Sequence, residues 1–284
     1  MTPFFWRSLG LAGLRLEQGD TPVLALHGWL DNAQSFAPLA PFLGAIDLVA
    51  LDLPGHGRSA HRPAGVRYHF DDNLFDVLKA ADRLGWERFH LLGHSMGGAI
   101  GTLIAAACPN RVISMVNIEG LGPISAPSDQ SANGWQKAIR GSHERARRQH
   151  PDRHAAVAAR ARHSDLDVPS AALLAERGLT PVGDGLIWGH DIRLTWPSTQ
   201  RYTESQVLDI IASIRCPVLN VYSDPPSGLI ASRVLERRLA ALRRRQQFAC
   251  SGGHHLHMRH PEAIGARIQE FLHEHAVPAQ IDTE

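Results

Sequence analysis

The 284 residues carry 29 Lys/Arg against 28 Asp/Glu, a net charge of +1, so no global field draws the chain to nucleic acid or to an anionic membrane. Hydrophobic residues make up 44% and charged residues 20%, ordinary for a globular chain with a sizeable core, and no apolar run approaches the ~18 residues of a membrane span. The first twenty residues lack a basic start followed by an apolar core, and Cys108, Cys216 and Cys250 are odd in number, far apart and set among apolar neighbours, which points to buried thiols in a reducing cytoplasm.

Residues 4–9 and 11–17 read as two edge strands joined at Gly10. Residues 22–26 are a short, nearly all-apolar run, the pattern of a strand covered on both faces; it ends in His27-Gly28-Trp29. Residues 35–43 read as a short helix and residues 47–53 as another apolar strand, followed by the breaker-rich turn Pro54-Gly55-His56-Gly57-Arg58-Ser59. Asp52 at that strand end suits a structural role, tying down the loop through hydrogen bonds to backbone N–H groups. Residues 71–84 form an amphipathic helix. Residues 89–108, FHLLGHSMGGAIGTLIAAAC, then run from an apolar strand through Gly93-His94-Ser95-Met96-Gly97 into a helix of small residues. This is G-x-S-x-G between strand and helix, the nucleophile-elbow pattern. Its glycines let strand and helix pass closely while the serine sits in a strained turn with its hydroxyl at the tip. A further strand, residues 111–118, ends at Glu119-Gly120.

Strands alternating with helices predict a mostly parallel sheet with helices on both faces. The alternation breaks over residues 121–202. No strand is expected there, helical stretches fall around residues 135–149 and 154–163, and residues 137–163 hold eight Lys/Arg against two Asp/Glu, read as a solvated helix face rather than a patch for acidic partners. Trp188 and Trp196, near His190, Asp191 and Arg193, suit packing of an inserted lid onto its domain. Regularity returns at Thr203, which with Gln206 makes a capping box for a helix through Ser213. Residues 217–222 form a strand with Ser223-Asp224-Pro225-Pro226 as exit loop, residues 232–244 a helix and residues 247–250 a last strand. Ser251-Gly252-Gly253-His254 follows, and Pro261 opens the final helix. The expected organisation is a core of residues 1–120 and 203–284 with a helical lid of residues 121–202.

A serine hydroxyl needs a base, and the base an orienting carboxylate. His254 alone among the later histidines follows a glycine pair after the last strand and precedes the last helix, and a histidine has its ordinary pKa near operating pH. His255, His257 and His260 share its loop, but no Cys, Asp or Glu lies close by in sequence to complete a metal site, so neither metal nor cofactor is expected. Two carboxylates end strands after Ser95: Glu119 and Asp224.

The pieces HGWLDNAQSF (27–36), DLPGHGRS (52–59), LLGHSMGG (91–98), IEGLGP (118–123), WGHDIRL (188–194) and GGHHLHMRHPEA (252–263) span nearly the whole chain. In them the sequence resembles the α/β-hydrolases, and within that superfamily it is similar to the serine hydrolase-like proteins. The resemblance implies the α/β-hydrolase fold, Ser95 as nucleophile, His254 as base, and the backbone N–H groups of Trp29 and Met96 as the oxyanion hole. One piece departs: where many members carry the acid after the strand at residues 217–222, the matching position here is Pro226 and only Asp224 remains nearby. Glu119 resembles the glutamate acid that some haloalkane dehalogenases carry after the strand following the elbow. It has the longer reach and is preferred, with Asp224 as alternative. A serine at position 95 argues against dehalogenase or epoxide hydrolase chemistry, which needs a carboxylate nucleophile. The expected activity is carboxylesterase-like hydrolysis of small to medium acyl esters. The same site could instead cleave a thioester or carbon–carbon bond, or serve a binding protein with weak turnover.

Overall fold

The computed structural model describes residues 1–143 and 146–276; residues 144–145 of the expected helix 135–149 and residues 277–284 of the expected core lie outside the described residues. β1 (Thr2–Trp6) and β2 (Leu11–Glu17) are antiparallel. They are followed by β3 (Thr21–Leu26), β4 (Ile46–Asp52), helix α1 (Asp72–Arg83), β5 (Phe89–His94), helix α2 (Met96–Ala107) and β6 (Val112–Ile118). After an inserted segment come α6 (Glu204–Ala212), β9 (Val218–Ser223), α7 (Ser232–Ala241), β10 (Arg245–Cys250), the short α8 (Leu256–Arg259) and α9 (Pro261–Glu274). An eight-stranded sheet runs β1-β2-β4-β3-β5-β6-β9-β10, parallel from β4 through to β10. The expectation of two edge strands is half right: β2 pairs with β4 on its other side, so of the two β1 alone lies at an edge, with β10 at the opposite one.

The apolar strands are covered on both faces because successive side chains point opposite ways. Leu24, Leu26, Val49, Leu51 and Leu91 face a core with α1 and α2. Val23, Ala25, Leu48, Ala50 and Leu92 face a second core closed by α9. α9 turns Ile264, Ile268, Phe271 and Leu272 inward, one stripe at helical period. Residues 35–43 are not one helix. Two 3₁₀ turns, Ala33–Phe36 and Ala40–Phe42, stand there, since Pro38 and Pro41 lack the N–H groups a continuous helix needs.

The inserted segment holds α3 (Ser131–Gly141), α4 (Arg153–His163), α5 (Val168–Gly178) and a hairpin of β7 (Leu179–Val182) and β8 (Gly185–Trp188). The hairpin corrects the expectation of no strand: its strands span four residues each and carry Pro181, too short and too broken for alternation to show. Helix α5 was also not expected; Asp167 caps it by accepting from the Ser170 N–H. The capping box at Thr203 and Gln206 forms as its spacing requires. The segment has a small core of its own, Val157, Leu166, Leu174 and Leu179 among others, and Met258 of α8 is part of it.

Candidate active site

Ser95 stands between β5 and α2 at φ 52°, ψ −114°, a region that non-glycine residues enter only when the surroundings over-determine it. The surroundings do so by contact. A Cβ on Gly97 would overlap the Leu26 carbonyl oxygen, and one on Gly93 would strike the backbone of Gly98. The Ser95 N–H donates to the Ile118 carbonyl at 2.8 Å and its carbonyl accepts from Ala99 N–H at 3.0 Å. Met96 is therefore in the first turn of α2, where N–H groups have no partner within the helix. Positive φ also occurs at Leu30 (60°) and Glu119 (54°), so among the described residues the non-glycine positions at positive φ all follow strands at the carboxyl edge of the sheet.

The loop after β10 brings His254 onto that edge. Its Nε2 lies 2.9 Å from Ser95 Oγ and its Nδ1 3.5 Å from Glu119 Oε2. Glu119 Oε1 accepts the Ser223 N–H at 2.6 Å and Oε2 accepts the Ser227 hydroxyl. Burial pushes the Glu119 pKa up, but the bonds from His254, Ser227 and Ser223 outweigh it and hold it below the usual carboxylate range. Asp224 is exposed, and its N–H donates to the Cys250 carbonyl; the carboxylate that meets the His254 ring is that of Glu119. Trp29 follows β3, the neighbour of β5 in the sheet, so Trp29 and Met96 belong to the same edge. Its loop is pinned by His27, whose Nδ1–H donates to Gly28 O at 2.7 Å while Nε2 accepts the Leu53 N–H at 3.0 Å. The Trp29 ring, about half exposed, donates through Nε1 to Leu194 of the inserted segment.

A family model described as the alpha/beta hydrolase fold matches residues 21–261. The chain is a serine hydrolase of the α/β-hydrolase superfamily. It is 32% identical to a probable serine hydrolase of Drosophila melanogaster over 89% of this chain and 81% of that one. It is 30% identical to serine hydrolase-like protein 2 of Homo sapiens, over 92% and 90% of the two chains. Among solved structures it resembles a hypothetical protein from Pseudomonas aeruginosa PAO1, with TM-score 0.85, 39% identity, and 93% and 95% of the two chains covered.

Several residues of this hydrolase reach the site from afar, with no local pattern to announce them. Asp165, between α4 and α5, accepts the His254 N–H, and its carbonyl lies 3.2 Å from His255 Nδ1. Asp31 is buried; Arg160 of α4 donates to its Oδ1 at 3.0 Å, and His255 Nε2 lies 3.2 Å from Oδ2. Arg160 also stacks on Trp188, so this member of the basic run is not on a solvated face. His94 donates through Nε2 to the His254 carbonyl at 2.8 Å. Burial and the neighbouring His257, His255 and His254 keep its pKa well below the ordinary histidine value. Asp52 has its expected structural role: it accepts the Ala33 and Arg58 N–H groups, each at 2.8 Å, and pairs with Arg177 of α5 at 2.6 Å. The histidine loop divides its labour: His257 Nε2 meets Ser35 Oγ at 2.8 Å, while His260 is exposed. Among the described residues, the group with metal-ligand spacing is Asp31, His94 and His255, drawn from the loop after β3, the end of β5 and the turn after β10, and therefore absent from any run of sequence.

Proposed function

We propose that this serine hydrolase cleaves small to medium acyl esters through Ser95, His254 and Glu119, without metal or cofactor. The observation that carries the reading is the 2.9 Å approach of His254 Nε2 to Ser95 Oγ in the strained turn before α2. In this reading Ser95 Oγ attacks the ester carbonyl as His254 takes its proton. The oxyanion is held by the N–H groups of Trp29 and Met96, the latter aided by the positive end of α2. Glu119 stabilises the imidazolium and fixes the ring. His254 then protonates the leaving alkoxide, and water, deprotonated by the same ring, releases the acid from the acyl-enzyme. Asp224 has no part in this scheme. Residues 121–202 serve as a lid whose Asp165 and Leu194 touch the histidine loop and Trp29, and the three unpaired cysteines suit a cytoplasmic setting.

A fluorophosphonate probe together with a panel of chromogenic esters of rising acyl length tests this. Labelling at Ser95 and turnover highest for the shorter chains are expected. No labelling overturns the hydrolytic site, and thioesters cleaved far faster than matched oxygen esters overturn the ester assignment.

A further inference from the structure

Behind the proposed base, three buried groups point lone pairs at one place. His94 donates through Nε2 to the His254 carbonyl, so in its neutral ring Nδ1 carries the lone pair; this atom is buried without a hydrogen-bond partner and lies 3.7 Å from Asp31 Oδ2. His255 directs Nδ1 at the Asp165 carbonyl, so its neutral ring presents Nε2 to the same carboxylate oxygen at 3.2 Å. Arg160 occupies the other oxygen, Oδ1, which leaves Oδ2 for the two rings. All three side chains are nine-tenths or more buried. The gap is bordered by Gly28, where a Cβ would come within 2.9 Å of both Asp31 Oδ2 and His94 Nδ1.

Two imidazoles whose outer N–H groups are fixed by backbone carbonyls, with inner nitrogens converging on a carboxylate oxygen, are the arrangement of a metal site with its supporting shell in place. The spacing fits as well. Ligands at ~2.0–2.1 Å around a tetrahedral Zn²⁺ stand ~3.3 Å apart; here the two rings stand 3.2 and 3.7 Å from the carboxylate oxygen, and all three ligand atoms lie within 4.8 Å of one another. Two imidazoles and one carboxylate favour Zn²⁺, Co²⁺ and similar ions over Mg²⁺ or Ca²⁺, which prefer all-oxygen sets. We propose that Asp31, His94 and His255 form an inhibitory transition-metal site. The bound ion does no chemistry. It sits against His94, whose ring centre is 4.9 Å from that of His254, and its double charge opposes the imidazolium the base must become. It also draws in the two residues that hold the base: His94 bonds the His254 carbonyl, and His255 follows it in the chain. The inhibition rests on the hydrolase reading above; the binding does not.

Two readouts on the full chain keep these apart. After EDTA treatment and dialysis, CoCl₂ is added and its visible d–d absorption followed, and then ZnCl₂ is titrated into a chromogenic-ester assay. One Co²⁺ per chain with an intense low-symmetry spectrum is expected, displaced by Zn²⁺, with Zn²⁺ inhibition reversed by EDTA. Asp31→Asn and His255→Gln should abolish the spectrum and raise the Zn²⁺ midpoint, normalised to each variant's metal-free rate, by at least ~10-fold. His260→Gln should respond as the parent does, and His254→Ala should still bind Co²⁺. Circular dichroism checks that each variant is folded, and His94→Gln replaces any that is not. The proposal is overturned by a parent that binds no Co²⁺, by ligand variants that bind it as the parent does, by loss of binding in His254→Ala, or by Zn²⁺ inhibition that persists where the Co²⁺ site is gone. An enzyme without ester turnover would leave the Co²⁺ result standing and sink the hydrolase reading instead.

Discussion

The elbow and the inserted segment are held in place by opposite means. Residues 93–98 owe their geometry to backbone packed on backbone, with glycines wherever a Cβ would collide. The segment is held by side chains that cross long stretches of sequence: Arg160 to Asp31, Arg177 to Asp52, and Arg193 to the carbonyls of Arg62, Pro63 and Val66. The elbow can therefore lose its functional side chain and keep its shape, whereas the segment cannot lose an anchoring side chain without loosening.

The sharpest test of the first half is Ser95→Ala. Activity and probe labelling should fall by ~10³-fold or more while Tm stays within a degree or two, and His254→Ala should match it in rate because the residues act as one unit. Substantial esterase activity in Ser95→Ala would remove Ser95 from the reaction.

Arg177→Met tests the second half. It leaves the Asp52 carboxylate, fully buried, without its cation, and losing one partner of a buried pair costs about 3–5 kcal/mol. Urea unfolding should show it, and Asp52→Asn in the same chain should recover part of the loss. A stability unchanged by Arg177→Met would mean that the segment is anchored elsewhere.

The next effect is read through pH. Burial lowers the pKa of His90 to about 4, with smaller help from His275 and Arg88, and burial also lowers His27. These two rings belong to the core and its strand ends; the segment carries His190, which burial, with smaller help from Arg160 and Arg147, likewise lowers to about 4. Their folded pKa lies below the unfolded value of ~6.5, so the unfolded chain binds more protons in between. Stability is then full above pH ~6.5 and falls as pH drops toward 4, by about 3 kcal/mol for His90 at ~1.4 kcal/mol per pKa unit. His90→Gln should flatten this decline in Tm; a decline equally steep in the variant would assign it to other groups.

Glu119→Gln follows at ~10²-fold in kcat, from lost imidazolium stabilisation and ring control. Asp224→Asn comes last, below ~10-fold. The reverse ranking of these two would transfer the acid to Asp224.

The same contrast explains what could be read from the sequence. The elbow, the apolar strands and the capping box at Thr203 are local patterns, and each is visible in a window of a few residues. Glu119 is marked by its position at a strand end, with Asp224 as rival, and the 3.5 Å contact with His254 is the geometry that favours Glu119 of the two. Asp31, Arg160 and Asp165 carry no such mark. Their meaning arises only when chain segments about 90 to 220 residues apart meet, and a lone aspartate in a loop looks the same whether it anchors a histidine or only faces water. The β7–β8 hairpin was missed for a related reason, since two four-residue strands offer too short a period to detect.

The two kinds of ion pair in the segment differ in their response to ionic strength. Arg153–Glu176, half exposed on both sides, sits where salt screens charge within about 8–10 Å. Arg177–Asp52 and Arg160–Asp31 are shielded from solvent on the carboxylate side and are screened far less. In concentrated salt the exposed pair at the rim of the segment weakens, while the attraction in the two pairs at its root, whose aspartates are buried, persists.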